Sequence, residues 1–145
     1  MTVDPWELNR FVAAQNPVLE AVRRELAVGR KTTHWMWFVF PQLRGLGRSA
    51  MALRFGISGP AEARAYLAHP LLAPRLDAST AQVLALAGRT PEAIFGPVDA
   101  VKFRSSMTMF ALADPAAAKF RDALAAFYSG VPDPCTEALW AAAGG

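Results

Sequence analysis

Apolar residues recur at helical spacing along most of the chain. Within residues 17–29, for example, Val18, Val22 and Leu26 fall on one helical face, and Gly29 follows as a typical helix stop. No long segment alternates apolar and polar residues with the period of two that indicates a half-buried strand. The pattern therefore predicts helices throughout.

Prolines mark where these helices begin. Six dipeptides place a capping residue directly before a proline: Asp4-Pro5, Asn16-Pro17, Gly59-Pro60, Thr90-Pro91, Gly96-Pro97 and Asp114-Pro115. Proline suits the first helical position because its missing N–H would lack a partner there and its φ is already helical. Glu7 stands three residues after Asp4, as in a capping box.

These signals predict an all-α fold, an irregular multihelical bundle that forms a single domain over residues 1–145. The predicted helices span residues 5–15, 17–28, 49–55, 60–68, 70–87, 91–95, 97–113, 115–128 and 134–142. Residues 34–40 are rich in aromatic side chains, which favours a strand, but no partner strand is evident. We expect a short buried helix there, capped by Thr32 or Thr33 and ended by Pro41.

Composition narrows the class of protein. Charged residues make up 19% of the chain, below the roughly 25% of average globular domains, so we expect a well-buried body. No apolar run of about 18 residues predicts a membrane span, and the N-terminus lacks a signal-peptide pattern, so we expect a cytosolic protein. With Cys135 as the lone cysteine and only two histidines, we predict no disulfide, no metal site and no cofactor.

The formal net charge is only +3, but one segment is distinctly basic. No acidic residue lies between Glu25 and Glu62, and the segment contains Arg30, Lys31, Arg44, Arg48 and Arg54. Clustered cations raise the local concentration of anions. The segment therefore predicts either a solvated basic rim or an anion site.

The stretch HWMWFVFPQLRGLGRS, residues 34–49, lies inside this basic segment. We expect three of its aromatic side chains to pack into the core: Trp35, Phe38 and Phe40. If the stretch is helical, His34 and Trp37 share one face, and we expect them to edge a cleft together with Gln42. The alternative is that the whole motif is core, since tryptophans at helical spacing usually are.

A glycine-punctuated turn, RGLGRS, follows and runs into a helix that Ser49 would cap. Successive backbone N–H groups in such a turn favour an anion, and Arg44 and Arg48 could add bidentate contacts. The spacing matches neither a P-loop nor a dinucleotide fingerprint, so it does not specify a nucleotide.

A second set of polar residues lies on the helix predicted over residues 97–113. Asp99, Lys102 and Ser106 follow one another on one face of an otherwise apolar helix, and Ser105 flanks them. One interpretation is an Asp99–Lys102 pair on a solvated strip, with the serines bonded to helix carbonyls. The other is that the strip lines a cavity with Lys102 as a charged donor.

The polar side chains of residues 34–42 and those of the helix predicted over residues 97–113 would supply hydrogen-bond partners to each other across water or a ligand. We therefore predict one shared site. Its catalytic candidates are His34, as a proton carrier, and Lys102, as an electrostatic anchor. Its predicted ligand-binding residues are Trp37, Gln42, Arg44, Arg48, Ser105 and Ser106.

Five segments carry a resemblance to a known family. They are FVAAQ, GRKTTHWMWFVFPQLRGLG, YLAHPLLAPRL, IFGPVDAVKFRSSMTMF and FYSGVPDPCT, in that order along nearly the whole chain. Together they resemble the bacterial family known as domain of unknown function 1810, also described as a calpastatin-like helical superfamily. The resemblance implies a compact, mainly α-helical single domain and no established activity.

Three functions follow as hypotheses. The main one is a protein that binds or acts on a small anionic metabolite, containing a phosphate or a nucleotide, in a polar and aromatic pocket. The alternative is a protein-interaction or structural module whose aromatic motif is only core. Nucleic-acid binding ranks third, because the chain lacks a long basic stripe and a recognition helix.

Overall fold

The computed structural model describes residues 3–145, which form helices joined by short loops. The helices are α1 (Asn9–Gln15), α2 (Leu19–Val28), α3 (Met36–Val39), α4 (Ala50–Phe55), α5 (Pro60–Ala68), α6 (Leu72–Leu84), α7 (Pro91–Ala113), α8 (Ala118–Tyr128) and α9 (Pro134–Ala142), with a 3₁₀ turn over Asn16–Val18 between α1 and α2. Residues 3–145 contain no strand, only the isolated bridge pairs Leu43–Ile57 and Ala87–Arg89. The predicted all-α, single-domain fold class is confirmed. Residues 1 and 2 of the predicted domain lie outside the described part.

Helix α7 is the centre of the bundle and packs against α5, α8 and α9. Its Phe103 is fully buried and meets Phe40 edge-on, with ring centroids 4.9 Å apart, and stacks on Phe95 at 4.8 Å. Such aromatic pairs add about 0.5–1.5 kcal/mol each beyond the burial of their surface. The motif that contains Phe40 is thereby fixed against the central helix.

Several predicted helix starts are present. Thr90 caps α7 by accepting a hydrogen bond from Ala93 N, and Ser49 caps α4 by accepting one from Ala52 N at 3.1 Å. Helix α5 begins at Pro60, directly after Gly59. These positions follow the general preference for a hydroxyl, carboxylate or glycine before the first helical residue.

The first helix begins later than predicted, at Asn9 instead of residue 5. The Asp4 carboxylate accepts hydrogen bonds from Leu8 N at 2.8 Å and Asn9 N at 2.9 Å, four and five residues along the chain. Glu7 has a positive φ of 51° and therefore lies outside the helix. The predicted capping box is wrong because Asp4 closes a wider loop.

Two further cap positions are wrong. Asn16 has helical backbone angles and caps nothing, since its side chain accepts a hydrogen bond from Arg75 Nη2 at 2.8 Å. Asp114 ends α7, and the next helix begins only at Ala118. Helix α6 is also shorter at both ends than the predicted span 70–87.

The helices predicted over residues 91–95 and 97–113 meet end to end in α7. Gly96 lies between them with φ 81° and ψ 165°, a conformation that glycine adopts without steric penalty. Pro97 lacks the N–H that an uninterrupted helix would need at this position. The kink separates the first turn of α7 from the long part that bears the polar residues.

The short helix of the aromatic motif spans Met36–Val39, and no side chain caps its N-terminus. Thr32 and Thr33, the predicted caps, donate instead to the carboxylate of Glu25 on α2. Glu25 accepts hydrogen bonds from Thr32 N at 2.6 Å, Thr33 N at 2.9 Å, Thr33 Oγ1 at 2.6 Å and the Trp35 indole N–H at 3.1 Å. A buried carboxylate is a stronger acceptor for these donors than a neutral side chain would be.

Burial opposes the ionisation of Glu25, but these hydrogen bonds outweigh it. The contributions of Thr33, Thr32 and Trp35 together lower the pKa of Glu25 from 4.5 to about 2. The charged carboxylate thus holds the segment that leads into α3. As predicted, Trp35, Phe38 and Phe40 are buried.

Candidate functional site

A groove with a volume of about 630 Å³ lies beside the long part of α7, and we call it the Trp37 groove. Its walls come from three parts of the chain. They are Trp37, Gln42 and the glycine loop at Leu46–Ser49; Val98, Val101, Lys102 and Ser105 of α7; and Asp133 and Cys135 at the start of α9. Aromatic, apolar and cationic side chains therefore face one space.

Lys102 is the charged group next to the aromatic wall. Its Nζ lies 5.0 Å from the centroid of the Trp37 ring, within cation–π range, and 3.5 Å from Asp99 Oδ1. The other oxygen of Asp99 is 2.8 Å from Lys31 Nζ. Two cations thus share one carboxylate, and the closer contact is to Lys31, whose side chain is 7% exposed against 24% for Lys102.

The glycine loop packs closely against α4. A Cβ added to Gly47 would lie 2.9 Å from Ala52 Cβ, too near for two carbon atoms, and 3.8 Å from Gln42 Nε2. The loop therefore requires glycine to sit against the helix and next to the Gln42 amide. That amide has no hydrogen-bond partner within residues 3–145, and the neighbouring Arg48 is exposed.

A small cavity of about 10 Å³ adjoins the groove and shares Trp37, Gln42, Ala52 and Lys102 with it. Its size is close to the minimum of about 10–15 Å³ that one water molecule needs. The apolar side of this cavity is formed by Met36, Phe40 and Phe55, together with the small residues Ala52 and Gly56.

The wall formed by α9 is held by Asp133. Asp133 Oδ2 accepts hydrogen bonds from Ser105 Oγ at 2.8 Å and from Thr136 Oγ1 at 2.5 Å, and the backbone N–H groups of Cys135 and Thr136 also point to the carboxylate. Burial opposes its ionisation, but these donors prevail and lower the pKa of Asp133 below its ordinary value. The start of α9 is thereby fixed to α7.

A model of a family of proteins of unknown function, DUF1810, matches residues 5–140. The chain belongs to this family.

A crystal structure of the conserved hypothetical protein Rv1873 from Mycobacterium tuberculosis is similar to this member of the DUF1810 family. It shares 55% sequence identity with a TM-score of 0.93, over 95% of this chain and 99% of that chain. A comparison with curated proteins finds no match. The family, the bacterial origin of the similar protein and the helical fold agree with the resemblance seen in the sequence.

The fold of this DUF1810 protein brings together five of the eight residues predicted for the site. Trp37, Gln42, Arg48, Lys102 and Ser105 all line the Trp37 groove. The structure agrees in part with both interpretations of the polar strip on α7. Lys102 pairs with Asp99, and Ser105 Oγ lies 3.2 Å from the Val101 carbonyl, but Lys102 and Ser105 also face the groove.

The other three predicted residues lie elsewhere. His34 is exposed and precedes α3, and it is not among the residues that line the groove. Arg44 lines a different depression, and its Nη2 donates to the Gly56 carbonyl at 3.2 Å. Ser106 is fully buried, and its hydroxyl has no hydrogen-bond partner in the described part of the chain.

The predicted site included no residue from the start of α9, where Asp133 and Cys135 line the groove. The dipeptide Asp133-Pro134 has the same capping pattern as the helix starts described above, and Asp133 does cap α9. That signal locates a helix start but does not show that it faces Ser105. Cys135 is exposed and lines the groove, although its position as the lone cysteine in the chain gave no signal for this.

None of the helices within residues 3–145 has the length and apolar character needed to cross a membrane. In the same residues, no three histidine, cysteine, aspartate or glutamate side chains are placed so that they could share a metal ion.

Proposed function

We propose that the Trp37 groove binds a small anionic metabolite with a planar or apolar part, such as a nucleotide. The observation that carries the proposal is the juxtaposition of Lys102 and the Trp37 ring, at 5.0 Å, in a groove that Arg48 and Gln42 also line. The groove volume of about 630 Å³ falls within the roughly 300–1,000 Å³ of small-molecule sites.

The cationic side of the groove suits a phosphate or carboxylate. Lys31 holds Asp99 at 2.8 Å, so Lys102, at 3.5 Å, is the lysine that can turn toward a ligand while Asp99 keeps a partner. Arg48 is exposed and offers a planar guanidinium for bidentate contacts. An incoming anion would therefore meet one ammonium group and one guanidinium group.

The aromatic and apolar part of the lining suits a ring or an alkyl group. Trp37 supplies an aromatic surface, and Val98 and Val101 supply an apolar rim, being 69% and 64% exposed. The Gln42 amide has two N–H donors and a carbonyl acceptor, which fits the edge of a nucleobase or another amide. A ligand with a phosphate alone would leave these groups unused.

The proposal concerns binding and names no reaction. His34, the suggested proton carrier, lies outside the groove lining, and Lys102 is kept as an electrostatic anchor. Ser105 contributes by holding Asp133, and hence the wall formed by α9, at 2.8 Å. The cytosolic location inferred from the sequence stays a prediction.

The test is a thermal-shift screen of the protein against nucleotides, sugar phosphates and other anionic metabolites. A ligand at a hundred times its dissociation constant stabilises by about 2.7 kcal/mol, which is readily measured as a rise in Tm. Lys102→Met and Arg48→Met should remove most of the shift caused by a hit. Arg24→Met, which changes an exposed arginine of α2 outside the groove, should preserve it.

The proposal fails if no anionic metabolite raises Tm, or if the groove variants respond to a hit as strongly as the Arg24→Met control. A failure of the first kind would favour the alternative, a protein-interaction module. The exposed Val98 and Val101 on the groove rim are the specific observation that supports this alternative.

A further inference from the structure

A second depression, with a volume of about 600 Å³, lies between the N-terminal loop and the connection from α4 to α5. We call it the Trp6 depression. The residues that give it its chemistry are Trp6, Arg10, Arg44, Arg54, Ser58 and Glu62, and Glu7 lies on its wall. Three arginines and an aromatic ring thus face one space that is separate from the lining of the Trp37 groove.

Arg10 is the structural member of this set. Its guanidinium pairs with Glu62 Oε2 at 2.7 Å and donates to the carbonyls of Trp6, Arg54 and Gly56 at 2.6, 2.8 and 3.2 Å. These contacts tie the N-terminal loop to both ends of the α4–α5 connection. The floor of the depression is therefore held in place before any ligand arrives.

Glu62 is also fully engaged. Its second oxygen accepts hydrogen bonds from Ser58 N at 2.9 Å and Ser58 Oγ at 2.8 Å. Since Arg10 and Glu62 neutralise each other, the outer residues decide what the depression attracts.

Those outer residues are Arg44 and Arg54, both exposed. Arg44 makes one hydrogen bond, to the Gly56 carbonyl at 3.2 Å, while the Arg54 guanidinium makes none within residues 3–145 and lies 5.4 Å from the Phe55 ring centroid. Each guanidinium has five N–H donors, so most of this capacity is free. The two cations outnumber the single carboxylate of Glu7 on the same wall.

Trp6 supplies an aromatic surface beside these cations. The residue is 38% exposed, although tryptophans are highly buried on average in folded domains. The adjoining Glu7 holds a positive φ of 51°, and the Asp4 carboxylate fixes the end of this loop through Leu8 N and Asn9 N. Non-glycine residues in this backbone region concentrate at binding and catalytic sites.

We propose that the Trp6 depression is a second binding site, for an organic phosphate with a planar ring. The ring stacks on Trp6, and Arg44 and Arg54 hold the phosphate through charge-assisted hydrogen bonds. Arg10 acts as a positioning residue, because all of its polar contacts are already made to protein groups. The site is independent of the proposed function of the Trp37 groove.

The test uses adenosine monophosphate and inorganic phosphate as probes, with the indole N–H signals of the ¹⁵N-labelled protein as the readout. The chain has four tryptophans, and Trp6→Phe and Trp37→Phe assign the two signals that matter. Adenosine monophosphate should move the Trp6 signal in a saturable way, and inorganic phosphate should bind more weakly because it has no ring.

Arg54→Met should weaken the binding of adenosine monophosphate at the Trp6 signal about tenfold, the effect of losing one charge-assisted contact. Because the Arg54 guanidinium has no hydrogen bond to the protein, this variant tests binding without disturbing the fold. Arg44→Met should act in the same direction, with circular dichroism as the check on folding. Arg24→Met and Lys102→Met, which lie outside the depression, should leave this affinity unchanged.

The proposal is overturned if the Trp6 signal does not move, or if Arg54→Met binds as tightly as the unmodified protein. Equal affinity for inorganic phosphate would remove the role of the ring. A response of the Trp37 signal alone would support the groove and overturn the second site. A response of Trp6 alone would support the second site and count against this nucleotide in the groove.

Discussion

Trp35 and Trp37 are two positions apart in one motif, yet the fold uses them differently. Trp35 is fully buried, and its indole N–H donates to Glu25 at 3.1 Å. Trp37 is only partly buried and lines a groove. Each ring also has a lysine near its face, Lys31 at 5.1 Å from Trp35 and Lys102 at 5.0 Å from Trp37.

The polar groups around the two rings explain the difference. Near Trp35, the Glu25 carboxylate accepts four hydrogen bonds, and Lys31 is bound to Asp99 at 2.8 Å. Near Trp37, the Gln42 amide has no partner within residues 3–145, and Lys102 has only the longer contact to Asp99. A polar residue beside an aromatic ring therefore indicates a binding site only where other protein groups do not already occupy its hydrogen-bonding capacity.

The largest expected effect separates the two tryptophans directly. Trp35→Ala should destabilise the protein by about 3–5 kcal/mol, because it leaves a large cavity and removes a donor to Glu25. Trp37→Ala should have a clearly smaller effect, since part of its surface already faces the groove. Urea denaturation of both variants measures the two values, and equal losses would contradict the comparison.

The next effect concerns Glu25. Its pKa of about 2 lies below the ordinary 4.5, so the charged form stabilises the folded protein above pH 4.5, and this contribution is lost as the pH falls from 4.5 toward 2. At about 1.4 kcal/mol per pKa unit, the charged Glu25 contributes about 3 kcal/mol to the free energy of unfolding.

Glu25→Gln should therefore be less stable than the unmodified protein at pH 6, and the difference should shrink between pH 4.5 and 2. Denaturant melts across this range provide the measurement. Glu20→Gln, an exposed glutamate of the same helix, is the control for a loss of charge on α2. A difference that stays constant with pH would show that Glu25 does not hold the motif as a carboxylate.

The smallest expected effect belongs to the groove. Lys102→Met should change the free energy of unfolding by less than about 1 kcal/mol, because a partly exposed ion pair contributes little and Asp99 keeps Lys31. The same melts test this. A loss as large as that of Glu25→Gln would make Lys102 a structural residue rather than a free cation of the groove.

Much of the fold was predictable because caps and prolines act locally. Helices α7 and α5 begin at Pro91 and Pro60, directly after Thr90 and Gly59, as the local pattern predicts. The pattern failed where tertiary contacts intervened. The Asn16 side-chain oxygen accepts a hydrogen bond from Arg75 Nη2, at a sequence separation of 59, and therefore does not cap a helix.

The site was predictable only in part. The sequence prediction was wrong where the site depends on the length and direction of short elements. Helix α3 begins at Met36, so His34 never shares a helical face with Trp37. Arg44 and Arg48 lie on either side of a glycine turn in which Gly45 has φ 110°, and they line different depressions. No periodicity in the sequence encodes the direction of such a turn.

The most direct test of the central claim is the hydrogen exchange of the two indole N–H groups, followed by NMR in D₂O. The Trp35 proton is buried and bonded to Glu25, so it should exchange only when the domain opens. The Trp37 indole N–H has no hydrogen-bond partner within residues 3–145, so it should exchange many times faster. Equal protection of the two protons would contradict the central claim. That claim is that the polar groups around Trp35 are bonded within the protein, whereas those around Trp37 are available to a ligand.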